Sequence, residues 1–173
     1  MKNSAPPLPS LVIAVLCLGT LDSRPADGPS PSKPISQGSD ATIILHAKDA
    51  NIHGKTVRYE PQPHKNTIGY WTKKEDWVSW DFKVQTPGTF IVQLTQACGK
   101  GSGGSEYAVT IGDQTLKDTV KETGAFTNFV QRAIGVVKLG RPGDYTLSVK
   151  PITKPGLAVM DLRAISLLPQ KSP

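Results

Sequence analysis

Cysteine is scarce in this 173-residue sequence, which contains only Cys17 and Cys98. Cys17 lies within the first apolar run, and its removal with a leader peptide would leave no pair for an internal disulfide bond. The fold must then be stabilised by its hydrophobic core. Cys98 is most simply a small buried apolar residue, because no base at a suitable spacing would activate it as a nucleophile.

Sequence patterns of catalysis and of phosphate binding are absent as well. There is no G-x-S-x-G motif, and GKGSGG at 99–104 lacks the strand–loop–helix context of a phosphate-binding loop. Asp76 and Asp81 could form a carboxylate pair, but Asp81 lies on the predicted solvent face of a strand. The sequence therefore predicts a protein that is not an enzyme.

Long apolar runs are also missing. The run at Leu11–Leu18 is too short to span a bilayer, which needs about 20 residues, so no transmembrane protein is expected. With Lys2 before it and small or polar residues after it, the run predicts a signal peptide that is cleaved near Ser23. The protein should then be secreted, or reside in the periplasm or cell envelope. A lipoprotein anchored through Cys17 is less favoured, because the bulky Leu16 precedes the cysteine.

The sequence lacks long runs of like charge. The formal net charge is +6, which can favour acidic partners. Both signs are nevertheless mixed along the chain, and this is typical of a solvated surface. We expect no nucleic-acid partner.

Glycine and proline are plentiful, with 16 and 15 residues, and they separate short alternating runs at near-regular intervals. This pattern is typical of an all-β protein. Turn residues at 86–88 and at 112–113 each stand between two such runs and predict β-hairpins. Eight to ten short strands with this spacing predict a two-sheet antiparallel β-sandwich with jelly-roll topology.

The clearest strand pattern lies at 76–88, DWVSWDFKVQTPG. Alternate residues from Val78 to Val84 are apolar, as in a strand with one buried and one solvent-exposed face. Trp80 is in the apolar set and is expected in the core. Trp77 is on the opposite face, where it could cover a second sheet, lie on the surface or contact a ligand.

Composition divides the chain into four segments. A stretch rich in proline, glycine and serine follows the apolar run and cannot pack a core. The predicted organisation is a signal peptide at 1–23, a linker at 24–40, a β-sandwich domain at 41–169 and a short tail at 170–173.

An ordered set of motifs runs through the predicted domain. In chain order they are I-G-Y-W (Ile68–Trp71), D-W-V-x-W-x-F-x-V (Asp76–Val84), P-G-x-F-x-V (Pro87–Val92), Y-x-V-x-I-G (Tyr107–Gly112), T-G-x-F (Thr123–Phe126), G-x-Y-x-L-x-V (Gly143–Val149) and M-D-L-R-x-I-x-L (Met160–Leu167). The set resembles the carbohydrate-binding modules of families 6 and 35, galactose-binding-like jelly rolls appended to secreted bacterial glycoside hydrolases and sulfatases. The resemblance covers residues 41–169.

The resemblance implies a non-catalytic module that binds poly- or oligosaccharides in loops at one end of the sandwich, and the positive net charge adds acidic saccharides to the candidates. Two aromatic rings would stack on a sugar, which presents an apolar C–H face, while polar groups would bind its hydroxyls. The stacking candidates are Tyr70, Trp71 and Phe126, and the polar candidates are Asn128, Glu60 and Lys74. Tyr70 and Trp71 are adjacent and should face opposite sides, which leaves open the choice between them.

A second hypothesis is a structural module that docks on a secreted enzyme or an envelope protein without binding sugar. Two departures from the resemblance favour it: Phe126 offers less stacking area than a tryptophan, and the loop Thr153–Ala158 lacks an asparagine. Exposed aromatic rings around one cleft would favour sugar binding, whereas burial of all of them would favour docking.

The resemblance also implies a structural calcium ion, held by carboxylates on the first strand and by an aspartate near the last strand. Calcium requires several oxygen ligands. His46 and Lys48 stand at the first-strand positions here, which leaves Asp49 and Asp161 as weak candidates. We therefore expect no calcium at this place, with the Lys48 ammonium pairing with Asp161 instead.

Overall fold

The structure is a computed structural model that describes Met1 and residues 34–170. The described part contains one single-turn 3-10 helix, Ala47–Asp49, and twelve strands. The strands are β1 Ile35–Ser36, β2 Ile43–His46, β3 Asn51–His53, β4 Arg58–Glu60, β5 Thr67–Gly69, β6 Trp77–Val84, β7 Gly88–Ala97, β8 Glu106–Ile111, β9 Gln114–Thr119, β10 Val130–Leu139, β11 Gly143–Pro151 and β12 Asp161–Pro169.

The strands form two sheets. The first has the order β1-β6-β11-β8-β9, with β3 also pairing with β6; the second has the order β10-β7-β12-β5-β4, with β2 also pairing with β12. Only β1 and β6 pair in parallel among the described strands. The predicted all-β, two-sheet antiparallel sandwich is confirmed, although the strands are more numerous than the eight to ten expected.

Strand β6 illustrates how the core forms. Its alternate residues Val78, Trp80, Phe82 and Val84 are all buried, as the sequence pattern predicted. Burial of each large apolar side chain contributes about 1.5–3 kcal/mol to stability. The indole nitrogen of Trp80 donates a hydrogen bond of 2.8 Å to the His46 carbonyl oxygen, so its polar atom is also satisfied.

The predicted hairpin around residues 86–88 is wrong. Strand β6 pairs with β11, whereas β7 lies in the other sheet between β10 and β12. Alternation in each strand reports which face is buried, but it does not report which strand lies alongside. The connection between β6 and β7 therefore crosses from one sheet to the other instead of closing a hairpin.

The predicted hairpin at residues 112–113 is confirmed. Strands β8 and β9 pair antiparallel from Glu106–Thr119 to Ile111–Gln114. Gly112 has a φ of 59° in the turn, a left-handed conformation that short hairpin turns require and that glycine adopts without a steric cost.

The N-terminal boundary of the sandwich lies earlier than predicted. Strand β1 falls within the predicted linker at 24–40, yet it pairs with β6. The side-chain oxygen of Gln37 accepts hydrogen bonds from the backbone nitrogens of Gln85 and Thr86, at 2.9 and 2.7 Å. These bonds satisfy the backbone at the crossing between the two sheets, so this segment belongs to the domain.

Several predictions concern residues outside the described part. Apart from Met1, the signal peptide at 1–23 and its Cys17 lie there, as do linker residues 24–33 and tail residues 171–173. Within the residues that are described, no helix is both long and apolar enough to cross a membrane.

Candidate functional site

The segment that follows β5 separates two adjacent aromatic side chains. Tyr70 has a left-handed backbone, with φ of 52°, which is uncommon for a residue other than glycine and recurs at functional sites. Trp71 is completely buried, and its indole nitrogen donates a hydrogen bond of 2.8 Å to the Asp76 carbonyl oxygen. Tyr70 is 51% exposed. Trp71 is therefore a core residue and not a stacking residue, and Tyr70 is the accessible ring.

A cation restrains the ring of Tyr70. The guanidinium carbon of Arg58 lies 3.4 Å from the ring centroid, within the range of a cation–π interaction. Arg58 belongs to β4, which pairs with β5 immediately before Tyr70. The exposed ring is thus held by a neighbouring strand.

The loop at 54–57 is anchored by the buried carboxylate of Asp76. This carboxylate accepts hydrogen bonds from the backbone nitrogens of Lys55, Thr56 and Val57 at 3.0, 2.8 and 2.9 Å, and from the Thr56 hydroxyl at 2.7 Å. Burial alone would raise the pKa of Asp76, but these four bonds outweigh burial and lower the pKa to about 2. Asp76 is therefore an anchor that is ionised at neutral pH, and not a proton donor.

Phe126 is seated by a glycine of the opposite loop. The backbone nitrogen of Cys98 donates a 2.9 Å hydrogen bond to the Thr123 hydroxyl, which ties the segment before Phe126 to the end of β7. A Cβ atom placed on Gly99 would lie 2.5 Å from the Phe126 ring, so the absence of a side chain at Gly99 lets the ring rest on the backbone.

Cys98 itself is inert. It is completely buried, and burial raises the pKa of its thiol to about 11, assisted by the negative charges of Glu122 and Asp161. A protonated, buried thiol behaves as a small apolar side chain.

Three charged side chains meet between Tyr70 and the start of β12. The ammonium nitrogen of Lys65 lies 2.5 Å from a carboxylate oxygen of Asp161 and 3.4 Å from one of Glu60. Gly69 makes room for this cluster, because a Cβ atom there would lie 1.9 Å from the Glu60 carboxylate. The three side chains are mostly shielded from water.

The protonation of this cluster is set by burial and by the shared ammonium. Burial raises the pKa of Asp161 to about 6, against the opposing effect of Lys65, while the charge of Glu60 raises it further. Burial tends to lower the pKa of Lys65, but its two acidic partners outweigh that effect and raise the pKa. Lys65 is therefore protonated, and Asp161 is ionised above pH 6.

These elements surround one cleft of about 300 Å³. Its lining residues are Glu60, Lys65, Tyr70, Thr72, Phe126, Ala158 and Asp161. Three of the predicted ligand-binding residues, Tyr70, Phe126 and Glu60, thus line the same cleft. Lys65 was missed, because nothing in its local sequence distinguishes it from other loop lysines; only the pairing of β4 with β5 brings it back beside Glu60.

Two other predicted polar residues do not line this cleft. Asn128 donates a 2.5 Å hydrogen bond from its amide nitrogen to the Thr123 carbonyl oxygen, so it braces the loop that carries Phe126. Lys74 is exposed in the turn before β6.

Trp77 is a surface aromatic residue on the outer face of the first sheet. Its ring stacks on that of His53 with centroids 3.6 Å apart, and the Lys150 ammonium lies 4.2 Å from the ring centroid. Trp77 does not contribute to the cleft of Tyr70 and Phe126.

The lysine that pairs with Asp161 is not the predicted one. We predicted that Asp161 pairs with Lys48, but it pairs with Lys65. Lys48 is exposed on the 3-10 turn, whereas Lys65 extends from the loop between β4 and β5. The Lys65 ammonium is therefore shared by the carboxylates of Glu60 and Asp161. Within residues 34–170, no group of three or more His, Cys, Asp or Glu side chains could hold a metal ion.

The fold is that of the carbohydrate-binding modules of families 6 and 35. A family 6 module of a marine laminarinase, LamC from Zobellia galactanivorans, is 18% identical, with 73% of this chain and 98% of that chain covered and a TM-score of 0.58. A family 35 module of Abf62 from Cellvibrio japonicus is 15% identical, with 75% and 94% covered and a TM-score of 0.59.

The chain is also similar to a β-(1,4)-mannanase of Podospora anserina that contains a family 35 module, at 15% identity and a TM-score of 0.59. That match covers 78% of this chain but only 29% of the mannanase. The family model described as "Domain of unknown function (DUF5077)" matches residues 53–171, and the chain belongs to this family. No curated protein matches the sequence.

Proposed function

We propose that this protein is a secreted, non-catalytic carbohydrate-binding module whose ligand stacks on Tyr70 and Phe126. One observation carries the proposal: two accessible aromatic side chains and a charged cluster line a single cleft of about 300 Å³. Such a volume is at the lower end for small-molecule sites, which begin at about 300 Å³, and suits one or two sugar rings.

The chemistry of the cleft matches that of a saccharide. The aromatic side chains offer apolar faces to sugar C–H bonds. The carboxylates of Glu60 and Asp161 can accept hydrogen bonds from hydroxyl groups, and Thr72 can donate or accept. Secretion is part of the proposal and rests on the sequence pattern of residues 1–23.

Asp76 and Asp81, the carboxylates considered for catalysis from the sequence, already have structural partners. Asp76 is engaged in four hydrogen bonds. Asp81 accepts bonds from the Asn51 amide and the Thr146 hydroxyl, at 3.0 and 2.6 Å. Neither carboxylate lines the proposed cleft.

Isothermal titration calorimetry against soluble polysaccharides tests the function. Laminarin, β-1,4-mannan and β-1,3-galactan are suitable first ligands, since enzymes that contain a domain of similar fold are named for acting on them. We expect saturable binding of at least one polymer. A folded protein that binds none of a broad panel of neutral and acidic glycans would overturn the proposal.

Replacing Gly99 by alanine is expected to weaken polysaccharide binding about three- to tenfold, because the new Cβ displaces the Phe126 ring. Gly99 is not in the left-handed region, so backbone strain should be small. Gly140→Ala is the matched control, since no atom lies within 4 Å of its added Cβ. Unchanged affinity in Gly99→Ala would argue against a role for Phe126.

We also propose that the cleft functions without calcium, because the Lys65 ammonium already contacts both of its carboxylates. Treatment with EDTA is then expected to leave both polysaccharide affinity and the midpoint of thermal unfolding unchanged. A fall in either quantity that added calcium reverses would contradict this expectation.

Docking on a partner enzyme or envelope protein is a second candidate function, favoured by an apolar row on the outer face of the second sheet. Val136 is 46% exposed, and Ile91 pairs with both Val136 and Leu168 on the neighbouring strands. A Val136→Lys variant that loses association with such a protein but keeps polysaccharide binding would support this second function.

A further inference from the structure

We propose that the cleft selects uncharged saccharides and rejects carboxylated or sulfated ones, because its lining cation is already neutralised within the cleft. This inference rests on the proposed carbohydrate-binding function. Lys65, Glu60 and Asp161 would thus determine the specificity for uncharged over anionic saccharides.

The charged residues that line the cleft, Lys65, Glu60 and Asp161, have a negative net charge. Lys65 is the only cation among the described lining residues, and it faces two carboxylates at 2.5 and 3.4 Å. One positive and two negative groups leave a net charge of −1 above the pKa of Asp161. An anionic ligand would therefore have to separate Lys65 from Asp161 or lie beside two like charges, and like charges placed together disfavour association.

The same carboxylates favour hydroxyl groups. Each ionised carboxylate has about four lone-pair sites, and Lys65 occupies only part of this capacity. The remaining sites can accept hydrogen bonds from sugar hydroxyls, and bonds to ionised acceptors are stronger than those between neutral groups. Uncharged sugars thus gain contacts where anionic sugars meet repulsion.

The arginines nearest to the cleft do not line it. Arg58 stacks on Tyr70, and Arg163 lies 3.5 Å from the ring of Phe129 while donating hydrogen bonds to the carbonyl oxygen of Lys65. Neither arginine lines the cleft. The net charge of +6 is therefore a poor guide to the ligand.

A matched pair of ligands tests the inference at pH 8, where Asp161 is ionised. Laminarin, β-1,4-mannan and β-1,3-galactan would each be compared with the same polymer after oxidation of its C6 hydroxymethyl groups to carboxylates. For the polymer that binds, calorimetry should give at least about tenfold weaker binding of the carboxylated form, which corresponds to about 1.4 kcal/mol.

The variant Asp161→Asn leaves Lys65 with one carboxylate and should recover about tenfold in affinity for the carboxylated polymer. Asp113→Asn is the matched control, because it makes the same change of charge in the exposed turn between β8 and β9. Glu60→Gln provides a second test if Asp161→Asn does not fold. Equal binding of both polymer forms by the unaltered protein, or no gain in a folded variant, would overturn the inference alone. Binding of neither form would instead overturn the proposed function.

Discussion

Replacing Asp76 by alanine is expected to lower the free energy of unfolding by about 3–5 kcal/mol, one of the largest effects of any single substitution in this chain. The change removes four hydrogen bonds to an ionised acceptor, each of which contributes about 1.5–3 kcal/mol before non-additivity is considered. It also leaves backbone nitrogens of the loop at 54–57 without a buried partner. Urea denaturation at pH 7 measures the loss.

Asp81→Ala is the matched control for this prediction. Asp81 lies in β6, the strand that begins directly after Asp76, but it is exposed, and its two partners are side chains that water can replace. Its substitution should cost less than about 1 kcal/mol. Similar losses at the two positions would show that the buried anchor has no special importance.

Ionisation of Asp76 also makes the stability of the fold depend on pH. The pKa of Asp76 is about 2 in the folded state and about 3.9 in an unfolded chain. Between these values the unfolded state binds more protons, so stability must fall as the pH is lowered from about 4 to about 2. The loss amounts to about 2.5 kcal/mol, and Asp76→Asn should abolish this part of the pH dependence.

Asp161 changes stability with pH in the opposite direction, because its pKa is raised in the folded state. Its folded form binds the proton first, so its contribution to stability increases as the pH is lowered through 6. The two aspartates therefore act in separate pH ranges.

The sequence predicted the faces of the strands better than their neighbours. Alternation identified the buried side of β6, because a pleated strand has a strict period of two. It could not reveal that β7 lies in the other sheet, because a turn of proline and glycine suits a crossing between sheets as well as a hairpin. The pairing of β1 was missed for a related reason: two residues are too few to show any period.

The candidate cleft was predictable only in part. The motif around Tyr70 and Trp71 indicated an aromatic wall, but the choice between the two rings depends on the left-handed turn at Tyr70, which its residue type does not predict. Lys65 reaches Asp161 across 96 positions of sequence. Such a contact depends on the register of several strands, and no local pattern records it.

The strongest test of the cleft is the removal of its aromatic side chains. Tyr70→Ala and Phe126→Ala should each weaken polysaccharide binding by about 30-fold, since central aromatic anchors in interfaces contribute about 2 kcal/mol or more. Stability should change less, because both side chains are partly exposed. Calorimetry with the bound polymer, together with thermal unfolding, separates the two effects.

Two further variants identify the cleft as the site of binding. Phe126→Trp should strengthen binding, because the larger ring offers more stacking area and an N–H donor. Trp77→Ala removes an aromatic side chain of the outer sheet face, where it stacks on His53, and should leave affinity unchanged. If Trp77→Ala abolished binding while Tyr70→Ala did not, the ligand would lie on the sheet face, and the exposed ring at the left-handed turn would need another explanation.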